Sequence, residues 1–120
     1  MTWQSYELDL RARRLVKDQG EQSIKESYKM REAVAYGLER FWGEHLRLEE
    51  KEPEKSAYWK ATWDGLVDIL SETEIHLPKH QNVNAMADEL WKLNRDDQQV
   101  ALAVLTQFCN SLVWWTQRYK

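Results

Sequence analysis

Apolar residues recur along this chain at spacings of three and four, and the longest such run lies near its C-terminal end. Ala101, Leu105, Phe108, Leu112, Trp115 and Tyr119 follow one another at i+4, i+3, i+4, i+3 and i+4, the spacing of one face of an α-helix. Leu102, Cys109 and Val113 widen the stripe on one side, Val100 and Val104 on the other. An arc this wide exceeds what a surface helix needs, so Asp97 to Tyr119 is expected to form the central helix of a bundle. The twenty residues from Gln98 to Gln117 carry no charge, yet the segment makes a poor membrane span. Gln98, Gln99, Thr106, Gln107, Asn110, Ser111, Thr116 and Gln117 would be costly in hydrocarbon. Trp114 falls in the polar sector, beside Asn110 and Gln117. It is either an amphipathic surface residue or a contact for a partner chain.

The same period places the earlier elements. A first helix is expected over Ser5 to Asp18, stopped by Gly20. Its apolar residues form two groups, Trp3, Tyr6 and Leu10 against Leu8, Ala12, Leu15 and Val16, as in a helix that is sandwiched or that meets a partner. A second helix is expected over Gln22 to Leu48, with Ile24, Tyr28, Ala35, Leu38, Trp42 and Leu46 as its stripe. Arg31 interrupts that stripe, and Gly37 and Gly43 are the points where it could kink. The charged run EEKEPEK and Pro53 end it. A third helix follows with Trp59, Trp63, Leu66 and Leu70, widened by Tyr58, Val67 and Ile69, and ends near Ser71. Residues 72–81 have no helical period; Pro78 and the isolated Ile75 and Leu77 make them a loop with one or two anchors. Asn82 or Asn84 caps a short fourth helix bearing Val83, Met86, Leu90 and Leu93. Asp96 and Gln99 have the spacing of a capping box for the last helix. Five helices with short connections predict an all-α, single-domain bundle spanning residues 1–120.

Composition sharpens this picture. Four Gly and two Pro in 120 residues favour long helices over a turn-rich β fold. Seven Trp, five Tyr and two Phe exceed what one small core holds, and Trp and Tyr are favoured at interfaces. Cys109 is the only cysteine, so no internal disulfide forms; a buried free thiol suits a reducing cytoplasm. The opening residues lack the apolar core of a signal peptide, so a cytoplasmic location is expected. The net charge of −3 is uneven. Residues 1–31 carry a net +2, residues 32–75 a net −6 and residues 76–120 a net +1. Indiscriminate polyanion binding is disfavoured, while a local basic face near the N-terminus is retained. Arg11, Arg14 and Lys17 share a side of the first helix, as Lys25 and Lys29 do of the second. A solvated face is the plain reading of such runs.

No motif specifies catalysis. His76 and His80 are separated by Pro78, which removes the helix that would align them. His45 and Glu49 are an i, i+4 pair without the second histidine that a zincin needs. Cys109 has an apolar setting, which blunts a thiol, and there is no glycine-rich phosphate loop or serine elbow. The expectation is a non-enzyme with no metal and no cofactor. Interaction surfaces are better supported, and Trp3, Tyr6 and Trp114 are the candidate protein contacts.

The closing run Leu112-Val113-Trp114-Trp115-Thr116-Gln117-Arg118-Tyr119 resembles the last helix of the small helical subunit of type III CRISPR effector complexes. There a Trp is followed three residues later by Arg and then by an aromatic, as are Trp115, Arg118 and Tyr119 here. The pairs Arg11-Ala12 and Gly37-Leu38 are also similar. The middle of the chain is more acidic than that family's, and the Gly-Leu pair lacks the surrounding proline and second glycine. The resemblance implies a small non-catalytic bundle, several copies of which stack inside a ribonucleoprotein and face the guide–target duplex with basic residues. Its partners would be other protein subunits, further copies of itself, and guide RNA or target strand through backbone contacts. Arg11, Arg14, Lys25 and Lys29 would make those contacts. The alternative is a stand-alone helical interaction or regulatory protein, such as a homodimer, without nucleic acid.

Overall fold

The computed structural model describes residues 5–20, 22–79 and 82–119, with Ser5, Tyr6 and residues 22–25 described in backbone only. Trp3 and His80 therefore lie outside the described residues, as do the side chains of Tyr6, Ile24 and Lys25. All regular structure among the described residues is helical, as the periodicity predicts. The helices are α1 (Ser5–Gln19), α2 (Gln22–Ala33), α3 (Leu38–Leu48), α4 (Pro53–Ser71), α5 (Val83–Lys92) and α6 (Arg95–Tyr119), with one 3-10 turn at Val34–Tyr36. They form a slab of 38 × 36 × 20 Å, and the short dimension is that of two helix layers. Helix α6 packs on α1 and α2; α4 packs on α3 and crosses α1, α2 and α6; α5 rests on α3.

The expected second helix is two helices. After Ala33 the chain tightens into the 3-10 turn, and Gly37 adopts φ 96° and ψ 172°, a conformation open essentially only to glycine. The break resets the helical phase, and the expected stripe fails at its described positions before the break. Tyr28 and Ala35 are exposed, whereas Glu26, Ser27 and Met30 turn inward. Beyond the break Leu38 and Trp42 are buried as expected, joined by Phe41, His45 and Leu48.

Helix α4 starts at Pro53, whose missing N–H costs nothing in a first turn, and buries Tyr58, Trp59, Thr62, Trp63, Leu66, Ile69 and Leu70. The loop after it is pinned where the sequence places its anchors. Ile75 and Leu77 are buried, and the Trp63 indole donates to the Pro78 carbonyl at 3.1 Å. Asn82 caps α5, its side-chain oxygen accepting from the Ala85 N–H at 3.0 Å. The cap of α6 is Asn94 rather than Asp96. The Asn94 side chain accepts from the Asp97 N–H at 2.8 Å and donates back to the Asp97 carboxylate at 3.3 Å. Asp96 and Gln99 are left in solvent.

Helix α6 buries Ala101, Val104, Leu105, Phe108, Cys109, Leu112 and Val113. It is not enclosed on all sides, however, because its outer face is open from end to end. Three buried hydroxyls fasten α2 to its neighbours. Ser27 Oγ lies 2.6 Å from the Tyr58 hydroxyl of α4 and 2.7 Å from Thr116 Oγ1 of α6.

Candidate functional site

Of the four basic residues singled out by sequence, the three with described side chains, Arg11, Arg14 and Lys29, fall on separate surfaces. Arg11 and Arg14 stand together on α1 at the rim of an open cleft of about 290 Å³ between α1 and α4, floored by Leu15, Gly65 and Phe108. Three carboxylates share that cleft, Asp18, Asp64 and Asp68. Arg11 lies 3.5 Å from Asp68, and Lys79 reaches the same carboxylate at 4.0 Å. The two arginines therefore line a mixed, acid-rich cleft rather than a bare cationic face. The Arg11–Asp68 pair is half-exposed on both sides; such pairs contribute about 0–1 kcal/mol and are readily exchanged for another anion.

Lys29 belongs elsewhere. It lies 3.4 Å from Glu26 Oε2, and Lys55 lies 3.9 Å from the same atom. The Glu26 carboxylate is itself buried, with Oε1 accepting from the Trp59 indole at 3.0 Å. Among the described residues Oε2 has no hydrogen bond, and it faces the Lys29 and Lys55 ammonium groups. Lys55 also bonds Glu52 at 2.9 Å, a contact that holds the Glu52 carboxyl below its ordinary range. The α4 positions near Glu26 and those lining the Arg11 cleft are roughly 150° apart around that helix. The described basic residues thus flank α4 on opposite sides and do not form one continuous surface. Lys25 contributes no described side chain.

The residues behind the closing-helix resemblance divide between two tasks. Trp115 and Tyr119 turn toward α1. The Trp115 indole donates to Asp9 at 3.0 Å, Arg13 donates to the Tyr119 hydroxyl at 2.9 Å, and the Arg13 guanidinium lies 5.3 Å from the Trp115 ring centre. Arg118 turns outward and stacks over Trp114 at 3.8 Å. Trp114 is 50% exposed, which agrees with its position off the apolar stripe.

A second aromatic surface lies outside the helical stripes of the sequence. Tyr36 and Trp91 are 68% and 78% exposed and border an open groove of about 320 Å³ whose wall includes Leu38, Leu90 and Leu102. The Trp91 indole donates to Glu39 at 3.4 Å, and Arg40 lies over the Tyr36 ring at 5.6 Å. One signal was available. Trp91 lies outside the Met86–Leu90–Leu93 stripe, as Trp114 lies outside that of α6.

Cys109 is wholly buried, and burial pushes its thiol up to about 12. Among the described residues no group of three His, Cys, Asp or Glu is placed to hold a metal ion. His45 is buried and donates through Nδ1 to the Trp42 carbonyl, so its ring fastens α3 locally. No helix among the described residues is long and apolar enough to cross a membrane. Comparison with protein-family models, with curated proteins and with solved structures finds no match to this chain.

Proposed function

We propose that the chain is a non-catalytic subunit of a multisubunit RNA-guided effector of the type III CRISPR kind, packed beside the guide–target duplex. The observation that carries the proposal is the end of α6. The residues that resemble the small subunit's closing helix, Trp115 and Tyr119, clamp α1, while the adjoining Trp114–Arg118 pair is presented outward. A rigid helix end with an exposed aromatic–arginine pair suits a protein interface, where Trp and Arg dominate binding energy. Arg11, Arg14, Lys25 and Lys29 are the phosphate contacts of this proposal. Contacts of that type add affinity without reading bases.

The test is performed in the assembled complex. Replacing the four residues by Ala should weaken target-strand binding equally for unrelated sequences. The slope of log affinity against log salt should become shallower by roughly one unit for each cation–phosphate pair removed. Unchanged affinity and slope, with normal incorporation of the variant, would overturn the nucleic-acid role.

A specific observation favours a second reading, a stand-alone helical interaction protein without nucleic acid. Arg11 and Lys29 already have carboxylate partners within the chain. Under that reading the fourfold variant changes nothing, and the chain is isolated without RNA.

A further inference from the structure

The outer face of α6 has no role in nucleic-acid binding as proposed. Asp96, Val100, Ala103, Gln107, Asn110, Trp114 and Gln117 are all exposed and follow one another at spacings of four, three, four, three, four and three. A spacing of 3.5 is that of the residues facing a partner helix, and Val100, Ala103 and Trp114 are the apolar members of this row. Nearly a third of this chain is charged, yet the seam has no charge between Asp96 and Arg118. Depletion of charge together with an exposed aromatic is a compositional mark of interfaces.

The seam is also complementary to itself. Val100 and Trp114 lie seven residues on either side of Gln107, and Asp96 and Arg118 lie eleven on either side. Two copies of α6 laid antiparallel about Gln107 therefore bring each Trp114 onto the partner's Val100–Ala103 shelf. Each Arg118 comes within reach of the partner's Asp96. The stack of Arg118 on Trp114 leaves the edge of the guanidinium free for a carboxylate, since the planar cation can do both at once. Asp96 is free to receive it because Asn94, not Asp96, caps the helix. The dyad is marked by paired Gln107 amides, and a polar residue at a seam position fixes register.

We propose that this face is the docking surface for a second copy of the chain, in a two-fold symmetric antiparallel α6–α6 pair. The proposal does not depend on membership of an RNA-guided complex. The strip is roughly 33 Å long and about 10 Å wide. That is small against the ~800 Å² per partner of standard interfaces, so the pairing is weak and concentration-dependent.

The experiment is sedimentation equilibrium of the full chain over a concentration series reaching about 1 mM, with helicity checked by circular dichroism. The wild-type chain should pass from monomer to dimer. Arg118→Asp and Asp96→Arg should each lower the association constant at least tenfold, because each places like charges opposite one another twice. An equimolar mixture of the two should associate at least as tightly as wild type, because both cross-pairs are then opposite in sign. Loss of the Trp114 stack alone could not produce that rescue. Should either variant fail to fold, Ala103→Glu on the same open face should abolish pairing while keeping helicity. A monomer throughout the series, or a mixture no tighter than its components, overturns the proposal.

Discussion

Replacing Ser27 by Ala removes the hydroxyl that links three helices. Ser27 Oγ is wholly buried, 2.6 Å from the Tyr58 hydroxyl and 2.7 Å from Thr116 Oγ1. Each bond contributes a net ~0.5–1.5 kcal/mol, and a buried hydroxyl left without a partner costs ~1–3 kcal/mol. Ala recovers a few tenths of a kcal/mol of helix propensity, and Tyr58 and Thr116 can regain part of the loss by turning toward each other. The expected destabilisation is about 1–3 kcal/mol, measured by urea unfolding followed by Trp fluorescence and far-ultraviolet circular dichroism. Tyr58→Phe and Thr116→Val should fall in the same range. The combined S27A/Y58F/T116V chain carries no orphaned hydroxyl and should be destabilised by much less than the sum of the three single changes, because removing all partners of a buried polar cluster can be nearly neutral. A single-variant effect within a few tenths of a kcal/mol, or strict additivity in the triple variant, would show that the three hydroxyls are not a coupled buried cluster.

Leu112→Ala, at a fully buried position of α6, should cost ~2–5 kcal/mol, and a shift of only a few tenths in the same unfolding assay would mean that this face is not packed. Gly37→Ala should destabilise by about 1–3 kcal/mol from backbone strain alone, since an added Cβ there meets no atom within 4 Å; a variant melting at or above the wild-type temperature would argue that α2 and α3 can merge. Stability should fall as pH rises above 9, because the unfolded thiol titrates from 9.0 while burial holds Cys109 protonated up to about 12. The native state then binds more protons than the unfolded one, which makes the slope negative, up to about 1.4 kcal/mol per pH unit for this group. Tyr58, also raised by burial, adds its own decline only above its ordinary 10.0. Cys109→Ala should therefore flatten the profile between pH 9 and 10, and identical profiles for the two chains would contradict the assignment.

The parts of the fold legible in the sequence are those where an unbroken helical phase and local turn chemistry agree. The Trp59–Leu70 and Ala101–Trp115 stripes and the Ile75 and Leu77 anchors belong to that group, as does the α5 cap, narrowed by sequence to Asn82 or Asn84 and formed by Asn82. The break at Gly37 was visible only as a residue able to kink. Phase extrapolated across it assigned Tyr28 to the core in place of Ser27 and Met30. Glu26 is a harder case. A carboxylate reads as surface, and only the approach of Trp59, Lys29 and Lys55 from other turns and helices accommodates it in the interior. The exposed Trp114 was legible because it departs from its stripe. Tyr36 and Trp91 became a groove only through the packing of α3 against α5, a long-range contact that no spacing rule expresses. The basic residues share the same limit, because spacing gives a side of one helix but not the side of α4 on which it docks.

Membership of an assembly is tested most directly by isolating the tagged chain from its native cells under mild conditions and weighing the intact particle by native mass spectrometry, with its RNA extracted and sized. The particle should comprise several protein subunits, containing this chain at fixed stoichiometry together with RNA of narrowly defined length. Recovery of the chain only as free monomer or self-pair, with no RNA, would rule out membership of such an assembly.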